Sequence, residues 1–243
     1  MRNETATGSG VLSMNHGTSD QHSEFRIPHS EFRHTPVLLK EAIDLLAPTS
    51  PMTMVDCTVG MGGHGLAILP RVMPEGRLIA VDCDAQALES AATRLVEFAP
   101  RVELVHGNFR DLPAILKRVG RDTVDGLIAD LGMSSLHVDD PRRGFSVAQD
   151  GPLDMRMDPQ QSLTAAELIR RLPQRELLHL LQTYGEERWA ARIARRIVET
   201  RVRHPIETTG ELARVVGQAV PHRGAARLHP ATRTFQALRI AVN

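Results

Sequence analysis

The sequence has only two cysteines, Cys57 and Cys83, among 243 residues. So low a content cannot make a disulfide framework, and both residues are expected to be reduced thiols near the glycine-rich loop described below. No apolar run approaches the roughly 20 residues that span a bilayer, and the N-terminus lacks the apolar core of a signal peptide. These absences argue against a secreted disulfide scaffold and a helical membrane protein. A soluble, cytoplasmic globular protein without a membrane partner is expected. A hydrophobic content of 42% is enough for a sizeable core in one large domain, or one and a half.

Lysine and aspartate are missing from residues 159–243, which hold 14 Arg against 7 Glu, whereas residues 1–158 hold 15 Lys+Arg against 22 Asp+Glu. The net charge of zero therefore hides a basic C-terminal part. Nine of its arginines lie between Arg170 and Arg203 in helical patterns. Guanidinium groups pair with phosphate and stack on bases, so an RNA-facing surface is expected there. For any single arginine, an i,i+4 pair with Glu167, Glu187 or Glu199 on a solvated helix is the competing reading.

Residues 1–33 are polar and carry a direct repeat, His22–Arg26 and His29–Arg33, which reads as a disordered tail; no metal site is expected. From Thr35 onward helix and strand patterns alternate. Strands are expected at Met52–Val55, Leu78–Val81, Val102–Val105 and Val124–Ala129, with helices at Val37–Leu46, after the glycines, at Ala85–Phe98 with Asp84 as N-cap, and at Leu112–Val119. That rhythm predicts an α/β fold, a Rossmann-like parallel sheet. A Gly/Pro/Asp-rich loop then spans Pro141–Pro159, and no strand pattern follows it. Helices are expected at Leu163–Leu172, Arg175–Thr183, Glu187–Val202, Thr209–Val220 and Ala231–Val242. The expected organisation is a tail over residues 1–33, a cofactor-binding domain over 34–141, an all-helical insert over 142–220, and a return to the first domain over 221–243.

The run Asp56-Cys57-Thr58-Val59-Gly60-Met61-Gly62-Gly63-His64-Gly65 follows the first strand directly. Gly60, Gly62 and Gly65 satisfy the dinucleotide pattern G-x-G-x-x-G, and Asp82 ends the second strand. Asp56 in front of the glycines would repel a pyrophosphate, and Asp130 brings a third carboxylate to the same sheet edge. An acidic edge favours a cationic ligand without phosphate, such as S-adenosylmethionine, with Asp82 suited to ribose hydroxyls. Asp also ends strands simply as a turn residue. Phe109, after the third strand, is placed to meet an adenine.

Six blocks carry a family resemblance: His34-Thr-Pro-Val-Leu38, Asp56–His64, Asp130-Leu-Gly-Met-Ser-Ser135, Arg143-Gly-Phe-Ser146, Asp150–Asp158 and His229–Arg239. In these the chain resembles the bacterial 16S rRNA (cytosine-N4)-methyltransferases over His34–Asn243. The resemblance implies a class I methyltransferase sheet with a helical insert. It further implies transfer of methyl from S-adenosylmethionine to N4 of a cytidine in the decoding region of 16S rRNA within the small ribosomal subunit. The family's cofactor contacts fall on Gly62, Gly63, His64, Asp82, Phe109, Asp130 and His137, and the loop reading adds Asp56 and Gly60. At His137 the family pattern reads Gln, in Ser-Ser-Pro-Gln. The pattern also continues with a Gly-Gly turn, a further strand and a hairpin beyond the block that ends this chain, so an open sheet edge is expected.

An exocyclic amine is a weak nucleophile, so catalysis must come mainly from alignment and from an acceptor for an N–H hydrogen bond. Asp130 is the candidate acceptor, with Ser134 or Ser135 assisting, although Asp130 is also a cofactor contact in the family. Phe145 or Phe109 could stack on an unstacked base, and Phe145 reads equally as a loop anchor. Methylation at carbon would need a cysteine nucleophile, and none is near Asp130 in sequence. Asp150, Asp154, Arg156 and Asp158 suit substrate positioning or a salt-bridged hinge. The rival readings are an RNA-binding or ribosome-assembly module without turnover, and an NAD-dependent oxidoreductase.

Overall fold

Short runs of aliphatic residues become four strands: β1 (Thr53–Asp56), β2 (Arg77–Asp82), β3 (Val102–His106) and β4 (Gly126–Ile128). The computed structural model describes residues 36–221 and 228–243, so the expected tail over residues 1–33 lies outside the described residues. All pairings are parallel, in the order β3-β2-β1-β4. A parallel sheet must be covered on both faces, and the alternation along each strand shows how that is done. Met54, Leu78 and Ala80 pack on one face against Ile43, Ile68, Leu69 and Leu95. Val55, Ile79 and Val81 pack on the other against Val105 and Ile115. These partners come from α1 (Leu39–Leu46), α2 (Gly63–Val72), β3 and α4 (Leu112–Arg118), together with Leu95 just beyond the end of α3 (Ala85–Arg94), which itself adds Ala91.

Asp84 caps α3 as its position predicts, accepting a hydrogen bond from the Gln86 amide at 3.0 Å. The expected helix over Ala85–Phe98 is shorter than its pattern, because it passes into a 3₁₀ turn, Val96–Arg101, that contains Pro100. A short helix that periodicity did not predict, α5 (Ser135–Asp139), follows β4. Among the described residues no strand pairs with the outer edge of β4. There Leu127 is 45% exposed, although Val55, its register partner in β1, is fully buried.

The C-terminal part is helical, as expected: α6 (Ala165–Arg171), α7 (Gln174–Gly185), α8 (Ala190–Arg201), α9 (Thr209–Ala219) and α10 (Thr232–Val242). Thr164 caps α6, and Thr208 with Glu211 makes a capping box on α9. Their apolar faces close a second core around Leu177, Leu181, Ile193, Ile197 and Leu212. Helix α10 adds Phe235, Leu238 and Val242 to that helical core. The expected boundary at residues 220/221 therefore does not separate the two cores.

Candidate functional site

A cavity of about 660 Å³ lies at the C-terminal ends of β1, β2 and β4, where open α/β sheets bind ligands. The glycine-rich loop forms one wall. Gly60 and Gly62 hold φ of +51° and +81°, a region that side chains rarely adopt, and α2 starts at Gly63. A Cβ on Gly60 would meet nothing nearer than the Thr58 carbonyl at 3.9 Å, so it would project into open space. On Gly62 it would press on Leu95 at 3.3 Å, and on Gly63 it would come within 2.6 Å of Pro36. Gly60 is thus the glycine that exposes its backbone to the cavity, whereas Gly62 allows α3 and the loop to pack closely.

The three strand-end acids occupy different environments. Asp82 lines the cavity and accepts hydrogen bonds from the Gly60 amide on one oxygen and the Asp84 amide on the other, both at 2.9 Å. Burial raises its pKa, opposed by those two amides. Asp130 is exposed at the cavity wall, and its amide donates to Thr58 Oγ1 at 2.8 Å. Asp56 does not reach the cavity. It is fully buried behind the loop, with Oδ1 accepting from the Thr58 amide at 3.1 Å and Oδ2 unpartnered among the described residues. Burial pushes its pKa up to about 7.

His64 and Phe109 also line the cavity. Burial, only partly opposed by Asp130, holds His64 below the ordinary imidazole range. Phe109 is 44% exposed. Both cysteines border the cavity as free thiols, as expected. Burial raises Cys57 to about 11 and Cys83 to about 12, so each stays protonated at neutral pH. Cys57 approaches β4 in space, its amide donating to the Ile128 carbonyl at 2.9 Å, a proximity its sequence position did not reveal.

Ser134 faces the cavity at the start of α5, and Ser135 does not line it. His137 borders the cavity but is buried. Its Nε2 lies 2.9 Å from Asp84 Oδ2, and its Nδ1 accepts from the Ser134 amide at 3.2 Å. Asp84 also receives the Arg143 guanidinium at 2.9 Å. Burial opposes ionisation of Asp84, but the hydrogen bonds from His137 and Arg143 outweigh it and keep the carboxyl below its usual pKa. Phe145 sits in the helical core, its ring 5.0 Å from that of His137. Of the two readings open for Phe145, the structure supports the loop anchor, because a ring 6% exposed cannot stack on a substrate base.

Arg143 and the end of α10 stand in or next to blocks of the family resemblance, but the sequence assigned them no role at this site. Arg239, Ile240 and Asn243 of the α10 segment form part of the wall. The Asn243 side chain accepts from the Met157 amide at 2.6 Å and donates to the Met155 carbonyl at 2.8 Å. The charged loop before α6 is braced internally: Asp154 binds the Arg156 guanidinium at 2.7 Å, and Asp150 accepts from the Gly210 amide at 2.8 Å.

The basic part divides similarly. Glu167 pairs with Arg170 and Arg171, and Arg195 lies 3.3 Å from Glu199, so several arginines are solvated pairs. Arg201 caps the Ile169 and Leu172 carbonyls. Arg188 and Arg192 lie over the Trp189 ring at 5.2 and 5.5 Å. A cleft between α8 and α9 collects Arg196, Arg203, His204 and Arg214 around a single carboxylate, Glu199.

Residues 31–243 match the model of the MraW methylase family. The chain belongs to this family. It is 48% identical to the ribosomal RNA small subunit methyltransferase H of Symbiobacterium thermophilum over 215 residues, covering 87% of this chain and 67% of that protein. It is equally identical to the methyltransferase H of Desulfosudis oleivorans over 214 residues, covering 87% and 69%. The chain thus spans about two thirds of the length of these family members. TrmN from Thermus thermophilus, a solved structure, is 17% identical over 48% of this chain and 37% of its own, with a TM-score of 0.35, too slight a likeness to bear on function.

Proposed function

We propose that this chain transfers the methyl group of S-adenosylmethionine to N4 of a cytidine in the 16S rRNA of the small ribosomal subunit, in the cytoplasm. The observation that carries the reading is the juxtaposition, in one cavity, of the open Gly60 backbone, the Asp82 carboxylate and the Asp130 carboxylate. S-adenosylmethionine is cationic at sulfur and nitrogen and carries no phosphate, so it fits an acidic strand edge that would repel a dinucleotide. The same charges disfavour the oxidoreductase reading.

The residues present fit the cofactor. Each Asp82 oxygen has one amide partner and a lone pair left for a ribose hydroxyl. Phe109 offers an exposed ring to the adenine, and the loop from Gly60 through Gly63 to His64 leaves room for the methionine end. Asp56 acts from behind, fixing the turn through Thr58. The bound cofactor supplies an activated methyl group with a neutral thioether as leaving group.

The remaining work falls to the chain's own side chains. Asp130 accepts a hydrogen bond from the N4 amine and takes up the proton that amine loses on methylation. Ser134, four residues on, lines the same cavity and orients the amine. Alignment of this kind can be worth about 7–11 kcal/mol. Cys57 and Cys83 are held as thiols, so they are poorly suited to a covalent attack on the base, which favours chemistry at nitrogen. The basic helices α6–α9, and above all the cleft at Arg203 and Arg214, hold the rRNA backbone. The test is transfer of labelled methyl to unmodified small subunits followed by nucleoside analysis. Label in N4-methylcytidine is expected; binding to subunits without any transfer would favour the assembly-module reading instead.

A further inference from the structure

Three arginines line the cavity, and two of them already have partners. Arg94 donates to the Met61 carbonyl at 3.0 Å, and Arg110 donates to the Asn243 carbonyl at 3.0 Å. The third, Arg239, is half-buried in the last turn of α10, and its guanidinium has neither an ion pair nor a hydrogen bond among the described residues. Burial alone acts on it and pulls its pKa below the ordinary guanidinium value. Its main chain is held in place, because the Asn243 side chain donates to the Arg239 carbonyl at 2.9 Å and to the Met155 carbonyl at 2.8 Å. A partly desolvated cation without a partner is costly until an anion meets it, and the space open to this one is the cavity.

The cofactor and the substrate each carry an anionic group. The cofactor's is its carboxylate, and the start of α2 at Gly63, on the glycine-rich wall, offers that group free amides and the positive end of a helix dipole. Arg239 belongs instead to the wall supplied by Met157, Gln161, Ile240 and Asn243. A nucleotide turned out of an RNA chain brings its own phosphates to the mouth of the pocket that receives its base. A guanidinium grips a phosphate through two oxygens at once.

We infer that Arg239 is the phosphate-binding residue for the target nucleotide, holding a phosphate that adjoins the cytidine whose N4 amine meets Asp130. The inference rests on the methyl-transfer reading of the same cavity. It divides the phosphate contacts in two. The α8–α9 cleft, which shares no residue with the cavity, holds the RNA backbone at large, whereas Arg239 acts on the one nucleotide that reacts. The cavity therefore recognises a nucleotide and not merely a nucleoside.

The experiment compares cytidine, cytidine 5′-monophosphate and cytidine 3′-monophosphate as inhibitors of methyl transfer to unmodified small subunits at saturating S-adenosylmethionine, for the wild-type chain and Arg239→Gln. Calorimetry gives the cofactor affinity of both chains. In the wild type one of the monophosphates should inhibit about tenfold or more better than cytidine, the worth of a charge-assisted contact. In Arg239→Gln that advantage should shrink to within about twofold, while cofactor affinity also stays within about twofold of wild type. An Arg239→Gln chain that keeps the monophosphate advantage overturns the inference; if it also binds the cofactor about tenfold more weakly, Arg239 serves the cofactor's carboxylate instead. If Arg239→Gln does not fold, a chain carrying Arg203→Ala and Arg214→Ala decides: an advantage that persists without the cleft's arginines supports the cavity, and one that vanishes moves the phosphate to the cleft and overturns the inference. A wild-type chain that transfers no methyl would defeat the reading of the site and this inference with it. An active wild type on which neither monophosphate surpasses cytidine defeats the inference alone.

Discussion

The carboxylate of Asp82 holds the Gly60 amide at 2.9 Å across 22 residues of chain, so the acid that ends β2 also sets the loop that follows β1. Removing it should affect binding and loop order together. Asp82→Ala is expected to weaken S-adenosylmethionine binding by at least about tenfold, since a charged acceptor and its two amide partners are lost. Asp82→Asn should lose less. Calorimetric titration decides, and an Asp82→Ala variant of normal affinity would remove Asp82 from the cofactor site.

Asp56 gives a stability prediction with a definite sign. Its pKa rises from 3.8 unfolded to about 7 folded because burial disfavours the charge. Between those values the folded chain holds the proton more tightly, so this group favours folding at low pH and loses that contribution as pH rises through about 7. The loss is at most about 4 kcal/mol. Asp56→Asn cannot ionise. The stability of Asp56→Asn relative to wild type should therefore improve from pH 4 to pH 8, as read by denaturant midpoints; a constant difference would mean that Asp56 does not titrate in this range.

Two phenylalanines separate binding from packing. Phe109→Ala is expected to cost about 1–3 kcal/mol of cofactor affinity through lost stacking, with the melting temperature nearly unchanged. Phe145→Ala should cost about 3–5 kcal/mol of stability because it opens a cavity in the helical core. Thermal unfolding and cofactor titration on both variants suffice, and exchanged phenotypes would refute the assignment.

Raised thiol pKa values near 11 and 12 leave Cys57 and Cys83 without appreciable thiolate at neutral pH. A Cys83→Ser chain should therefore transfer methyl at close to the wild-type rate, and iodoacetamide should label the native protein slowly at pH 7. An inactive, folded Cys83→Ser variant would point instead to covalent chemistry at a base carbon.

In the α8–α9 cleft, Arg203→Ala and Arg214→Ala are each expected to weaken binding to rRNA at low salt. Each should also lower the slope of log affinity against log salt by about 0.7–0.9, one phosphate contact's worth. Cofactor affinity should not change. A wild-type slope in both variants would place the RNA elsewhere.

Strands and most helices were legible because periodicity and capping act locally. Asp84 reads as an N-cap from its place before Ala85, and the capping box of Thr208 and Glu211 lies three residues apart. Asp56 and Phe145 were less legible, because whether a side chain faces a cavity or the interior behind it depends on packing. Illegible altogether was the cluster of Asp84, His137 and Arg143, whose members stand 53 and 59 residues from Asp84 and meet only through tertiary structure. Helix α5 escaped notice because five residues are too few for a period to show.

The contact between Arg143 and Asp84 also orders events during synthesis. Domains form from the N-terminus as the chain emerges, so β1, β2 and α3 are made while Asp84 has neither of its later partners. Until residue 143 arrives, that carboxylate must stay hydrated, and the start of α3 cannot close over it. The guanidinium partner of Asp84 is therefore delivered by the loop that introduces the helical part: a nascent chain that stops before Arg143 has the sheet's strands but leaves the acid at the start of α3 without that partner.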